Sequence, residues 1–210
     1  MTLVGFALAG GESRRMGWDK ALLSWGTSDL LGHTLARLGA VAPEVRILSG
    51  REPRFLERGL AVDTDPVASF GAKCDADSPD GEGPLAGLLA ALTAARGRTA
   101  LVLAIDLPLV PQALLLRLVE RLSGFDAVVP VSRRGPEPLC AIYGPACLEP
   151  IQRARATGDL RATAFWPEIR VLRLQPDDLA DLGDPETLFS NVNAPEDYAR
   201  ALLRAPRTPC

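Results

Sequence analysis

Residues 8–20, LAGGESRRMGWDK, follow an apolar run and change its chemistry abruptly. Gly10 and Gly11 let a backbone turn sharply and bring N–H groups close to an anion with no Cβ in the way. Arg14, Arg15 and Lys20 add charge for phosphate groups, arginine as a planar fork and lysine as a compact point charge. A triphosphate meets this combination. Two familiar phosphate patterns fail in the same segment. GxGxxG needs glycines at 12 and 15, where Glu12 and Arg15 stand, and GxxxxGK[ST] needs lysine directly after Gly17, where Trp18 stands. The alternative is an ordinary glycine turn with solvated arginines.

Three further stretches carry chemistry. TALVLAIDLPLV (99–110) delivers one carboxylate, Asp106, to the end of a strongly apolar strand. Magnesium prefers oxygen ligands and keeps several waters, so one aspartate plus substrate phosphates suffices for it; the competing reading is a cap on a turn or on a helix near 111. GPLAGLLAAL (83–92) opens a helix with small residues, either for close ligand approach or for plain packing at Gly87. NVNAPEDYARA (191–201) sets Asn191 and Asn193 just before a helix, where helix capping competes with a ligand role. No Ser/His/Asp set assembles around the single histidine, His33.

The elements that must position these groups follow from apolar pattern. Strand-like runs occur at 2–9, 44–49, 59–63, 99–105, 125–131, 138–143 and 169–174. Helical periods fall near 29–41, 52–58, 84–96, 111–123, 145–157 and 194–204. Nearly continuous apolar strands separated by helices predict an α/β fold, a largely parallel sheet covered on both faces, which binds ligands beyond the carboxyl ends of its strands. Residues 66–82, rich in Asp, Gly, Pro and Ser, read as a mobile surface loop, and 205–210 as a frayed tail. Asp177, Asp178, Asp181 and Asp184 read as a solvated acidic loop, and Trp18, Trp25 and Trp166 as packing residues or a lid.

Composition narrows the function classes. With 210 residues, 47% of them hydrophobic, the chain supports one substantial core and is read as a single domain over 1–210. A net charge of −3 and a pI near 5.3 give no global field for nucleic acid or an anionic membrane. Four cysteines without CxxC spacing argue against a zinc site and suit a reducing cytoplasm. The apolar opening is too short to span a membrane, and its positive charges follow it rather than precede it, the reverse of a signal peptide.

LAGGESRRMGWDKALL resembles the signature of Rossmann-like nucleotidyltransferases, specifically the molybdenum cofactor guanylyltransferases. GPLAGL, the Asp106–Leu107–Pro108 strand end, PEPLCAIYG (136–144) and NVNAPED recur in that family's order, so the resemblance spans about residues 3–203. It implies a three-layer sandwich with a mostly parallel central sheet, like that of nucleotide-diphospho-sugar transferases. It also implies a reaction in which GTP and molybdopterin-bound molybdenum give the guanine dinucleotide cofactor and pyrophosphate. GTP, the molybdopterin cofactor and Mg²⁺ are the implied small-molecule partners; cofactor-biosynthesis proteins and recipient molybdoenzymes are the implied protein partners.

Carried over by position, Leu8, Ala9, Gly10 and Gly11 hold the nucleotide, Lys20 its phosphates, and Arg15 the leaving pyrophosphate. Asp106 matches the magnesium ligand, and Asn193 an asparagine on the phosphate or pterin side. A nucleotide-contacting aspartate falls on Asp65 when read from GLAVDTDP, or nearer Asp77 when read back from GPLAG; the strand register favours Asp65. The family's asparagine after strand two is missing, since ILSGRE offers Ser49 and Gly50. Gly10 matches the guanylyl branch, where the cytidylyl branch more usually has a second alanine. The same residues leave three alternatives: a cytidylyltransferase on the same pterin, a sugar-phosphate nucleotidyltransferase, or a GTP-sensing module without turnover.

Overall fold

A computed structural model describes residues 2–9, 19–49, 61–63 and 83–205, with the backbone alone at 61–63. Gly10, Gly11, Arg15, Asp65, the expected helix at 52–58, the loop 66–82 and residues 206–210 lie outside the described residues.

One sheet organises the chain. Its strands are β1 (Leu3–Leu8), β4 (Glu44–Leu48), β5 (Ala61–Asp63), β6 (Thr99–Ala104), β7 (Ala127–Ser132), β9 (Cys140–Tyr143) and β10 (Val171–Leu174), in the order β10-β7-β9-β6-β1-β4-β5. All adjacent pairs are parallel except those of β9, which runs antiparallel to β6 and to β7. The mostly parallel expectation holds, with β9 as the exception. PLCAIY enters the sheet only seven residues after β7 ends, too short a link for the crossover a parallel neighbour needs. A short strand β8 (Gly135–Pro136) fills that link by pairing antiparallel with β7.

Both faces of the central strands are apolar, which is why they read as continuous hydrophobic runs. Leu3 and Ala7 of β1, with Leu101 and Leu103 of β6, enter one core with Leu31 and Leu38 of helix α1 (Leu30–Gly39) and Leu114, Leu115 and Leu118 of α3 (Gln112–Arg121). Val4 and Phe6, with Ala100 and Val102, enter the other core beneath α2 (Gly83–Ala95) and α4 (Leu148–Ala156). Leucine and alanine cover nearly the whole circumference of α2, so it sits buried rather than half-exposed. Gly5 sits where α1 crosses β1: a Cβ there would lie 3.2 Å from Leu38 Cβ and 3.3 Å from Ala42 Cβ.

The acidic stretch near 180 departs from the sequence expectation in its backbone. Asp177, Asp178, Asp181 and Asp184 are exposed, as expected of a solvated segment, but the backbone forms a 3₁₀ segment (Pro176–Leu182) and a short helix α5 (Pro185–Leu188) rather than an irregular loop. The reason is local capping: Asp178 accepts the Gln175 N–H at 2.8 Å, Asp184 caps α5 at Thr187, and Asp181 pairs with Arg117 of α3 at 2.6 Å. Trp25 and Trp166 are buried packing residues.

Candidate active site

The carboxyl ends of β1, β4 and β6 meet at one corner. Ile105 N–H donates to the Leu8 carbonyl at 3.2 Å, and Ala9 N–H to the Leu48 carbonyl at 2.9 Å. Leu8 and Ala9 therefore leave the sheet between the ends of β4 and β6, and Asp106 follows one residue after the contact with Leu8.

Lys20 reaches the same corner from a separate segment. Asp19 caps a 3₁₀ turn (Lys20–Leu22) by accepting the Ala21 N–H at 3.1 Å. A hairpin then pairs β2 (Ser24–Trp25) with β3 (Ser28–Asp29), turned by Gly26 at φ 62°. Asp29 caps α1 at the Gly32 N–H, 2.7 Å away. From this brace Lys20 Nζ donates to Asn193 Oδ1 at 2.8 Å and lies 3.6 Å from Asp106 Oδ2. Their side chains are 15% and 26% exposed, so water and salt screen this ion pair less than a surface pair.

Asn193 arrives with helix α6 (Pro195–Arg204). Capping is the commoner use of an asparagine here, but the N-cap position is Ala194, one residue on, and Asp197 of the first turn accepts the N–H groups of Asn193 and Ala194 at 3.1 and 2.9 Å. This releases the Asn193 amide for Lys20. Val192 N–H donates to the Asp106 carbonyl at 2.9 Å, which joins the NVN segment to the Asp106 loop between its two asparagines. A small third core fastens all three segments below the site: Trp25 and Leu30 from the Lys20 arm, Leu109 from the Asp106 loop, and Val192 and Ala201 from the Asn193 arm. The Tyr198 hydroxyl adds a bond to the Ser24 carbonyl. Lys20, Asp106 and Asn193, separated by up to 173 residues, thus converge.

Electrostatics at the corner suit an anionic ligand with a cation. Burial pushes the Asp106 carboxyl above the usual carboxylate range, and the Lys20 charge pulls part of that back. Asn191 Oδ1 is buried without a hydrogen-bond partner. A carboxylate and an orphaned amide oxygen on adjoining segments are the hard donors that a small divalent cation prefers. Among the described residues, no group of three or more His, Cys, Asp or Glu could hold a metal by itself.

The sequence reading missed two charged groups near this corner. Glu137 follows β8; its carboxylate accepts the Ser132 hydroxyl at 2.8 Å, and burial raises its pKa, with the Glu186 and Asp106 charges adding to the rise. Its signal was present in PEPLCAIYG, as a carboxylate set between two prolines ahead of an apolar strand. Arg37 sits in a regular helical period and gave no such signal.

The MobA-like NTP transferase domain matches residues 5–169. A probable molybdenum cofactor guanylyltransferase of Pelotomaculum thermopropionicum is 35% identical over 201 residues, covering 96% of this chain and 92% of that protein. A molybdenum cofactor guanylyltransferase of Cereibacter sphaeroides is 38% identical over 211 residues, covering 97% of this chain and 98% of its own. The crystal structure of molybdopterin-guanine dinucleotide biosynthesis protein A from Archaeoglobus fulgidus shares the fold, with a TM-score of 0.77 at 23% identity over 98% of this chain and 100% of that one. With the nucleotidyltransferase motifs, the mostly parallel sheet and the Lys20–Asp106–Asn193 corner all in place, the chain belongs to the MobA-like NTP transferase family.

Proposed function

We propose that the chain transfers the GMP moiety of GTP to the molybdopterin-bound molybdenum cofactor, forming the guanine dinucleotide cofactor and releasing pyrophosphate. The observation that carries this reading is the convergence of Lys20, Asp106 and Asn193 at the end of β6, beside the strand that leads into the glycine loop. The naming of the relatives as molybdenum cofactor guanylyltransferases supports it.

The transfer needs no protein nucleophile. An acceptor phosphate oxygen attacks the α-phosphorus, a P–O bond forms, and the bond to pyrophosphate breaks with negative charge moving onto the leaving group. Positioning and electrostatic stabilisation supply the catalysis. Lys20 stabilises that charge, and Asn193 holds its ammonium in place. Gly10 and Gly11 wrap the phosphates with backbone N–H groups, Arg15 lies on the pyrophosphate side, and Asp65 contacts the nucleotide. Asp106, with Asn191 Oδ1 on the adjoining segment as a further donor, would hold Mg²⁺, which when bound neutralises charge on the triphosphate. The whole of 1–210 acts as one nucleotidyltransferase domain in the cytoplasm, serving further cofactor-biosynthesis proteins or recipient molybdoenzymes. Among the described residues no helix is long and apolar enough to cross a membrane.

Incubation with the molybdenum-loaded pterin and each nucleoside triphosphate tests this directly, reading product mass and pyrophosphate together. A guanine dinucleotide product with matching pyrophosphate is expected. Pyrophosphate from CTP alone, or only with a sugar phosphate, assigns one of the other transferases. Bound GTP without pyrophosphate assigns a sensor.

A further inference from the structure

The Asp106 loop is gripped from behind by a helix that touches no substrate. Arg37 Nη1 of α1 donates to the Pro108 carbonyl at 2.5 Å, and His33 Nε2 lies 3.0 Å from the same oxygen. His33 stands one turn before Arg37, so both project from one face of the helix. A carbonyl only accepts, so Nε2 carries the hydrogen and donates it; burial and the neighbouring Arg37 charge hold the His33 pKa below the usual imidazole value, which favours the neutral ring. Trp25 packs on His33 with ring centroids 5.6 Å apart and fixes the ring from the hairpin side.

Arg37 is an expensive way to hold one carbonyl. Burial pushes its guanidinium down to about 10, and among the described residues no carboxylate offsets its charge. A buried charge without a counterion costs stability, and an apolar side chain at this half-buried place would cost less. What Arg37 holds is the carbonyl two residues from Asp106. Pro108 itself has no N–H with which to anchor the loop. Other bonds along the loop include the Ile105 N–H on the Leu8 carbonyl at 3.2 Å, the Leu107 N–H on the Ala104 carbonyl at 3.2 Å, the Val110 N–H on the Leu107 carbonyl at 3.3 Å and the Val192 N–H on the Asp106 carbonyl at 2.9 Å.

We propose that Arg37 and His33 are positioning residues: a two-donor clamp on the Pro108 carbonyl that sets where the Asp106 carboxylate stands relative to Lys20. The clamp also ties the two halves of the site to one rigid element. α1 receives the Lys20 arm at its first turn, where Leu30 N–H donates to the Leu23 carbonyl at 3.0 Å, and grips the Asp106 loop from its second and third turns. The consequence for metal binding rests on the reading of Asp106 as the metal carboxylate.

Arg37→Met in the full chain removes the fork while keeping an unbranched apolar stem. Two readouts apply: Mn²⁺ affinity in the presence of GTP, followed by electron paramagnetic resonance, and amide hydrogen exchange at Leu107 and Val192. The clamp predicts Mn²⁺ affinity weakened by about tenfold or more, the usual scale for losing an outer-shell partner. It also predicts faster exchange at those two amides, with metal-free GTP affinity and exchange within β6 unchanged. Unaltered exchange at Leu107 and Val192 overturns it, as does faster exchange spread evenly over the sheet. His33→Phe keeps a ring against Trp25, loses one donor, and carries the same test should Arg37→Met not fold. Asp106→Asn separates the two readings. If that change leaves Mn²⁺ affinity intact, the metal role of Asp106 fails, and the exchange readout alone decides the clamp.

Discussion

At the scale of single residues, Asp106 and Lys20 do different work although they touch. Asp106→Asn preserves shape and removes the one charge that the end of β6 presents. Turnover with saturating GTP is expected to fall roughly a hundredfold or more, the scale of losing one electrostatic stabiliser. Near wild-type rates at limiting magnesium would remove Asp106 from the metal site. Lys20→Ala takes a cation away from phosphate and removes the charge that keeps the Asp106 carboxyl ionised. GTP binding and turnover should weaken together, while the thermal midpoint moves by roughly a degree or two, because Lys20 fills no part of a hydrophobic core and Asp106, already raised by burial, takes up a proton when the lysine is gone. A large loss of stability at unchanged nucleotide affinity would mark a structural lysine instead. Both residues were legible in the sequence because each breaks the pattern around it: a cation in a glycine-rich polar segment, a carboxylate ending an apolar strand. Arg37 was not, since a helical arginine normally signals a solvated face and nothing local reveals that Pro108, 71 residues on, will cover it.

At the scale of elements, every described strand of the main sheet except the two-residue β8 coincides with an apolar run, because strands buried on both faces cannot hide their composition. The β2–β3 hairpin and the 3₁₀ segments were illegible for the opposite reason. They are short, and capping and a third core drawn from distant segments hold them in place. Helix α2 yields a discriminating test. GPLAGL left open whether Gly87 serves packing or ligand approach. Among the described residues a Cβ at Gly87 would meet only the Leu8 side chain, at 3.7 Å, which is ordinary contact, so packing against them does not demand glycine there. Gly87→Ala is therefore expected to raise the stability of the nucleotide-free protein by up to about 1 kcal/mol through helix propensity. If the glycine exists for close approach, the same change weakens GTP binding. Calorimetric melting with and without GTP reads both effects at once, and a gain in stability with unaltered affinity would return Gly87 to the scaffold.

At the scale of the whole molecule, strand order divides the labour of the site. β1, β4 and β5 form one half of the sheet, with Gly10 and Gly11 following β1 in the chain; β9, β7 and β10 form the other, and Asp106 follows the strand between, β6. A net charge of −3 supplies no long-range attraction for a triphosphate, so recognition must come from groups fixed at this seam. Base choice is part of that recognition. Ala9 is buried, its N–H already committed to Leu48 and the preceding Leu8 carbonyl to Ile105. The family resemblance points to the next residue, Gly10, for base choice. Glycine there leaves room for a purine beside the backbone, and a second alanine would narrow it. A site that reads a base through hydrogen bonds rejects the wrong one strongly, because its own polar groups are then left unpaired. The chain is expected to prefer GTP to CTP, and Gly10→Ala to reduce that preference without abolishing transfer. Competition binding with the two nucleotides, repeated on the variant, measures it. Equal affinity, or a preference for CTP, would overturn the guanylyl assignment while leaving intact a transferase built on Lys20 and Asp106.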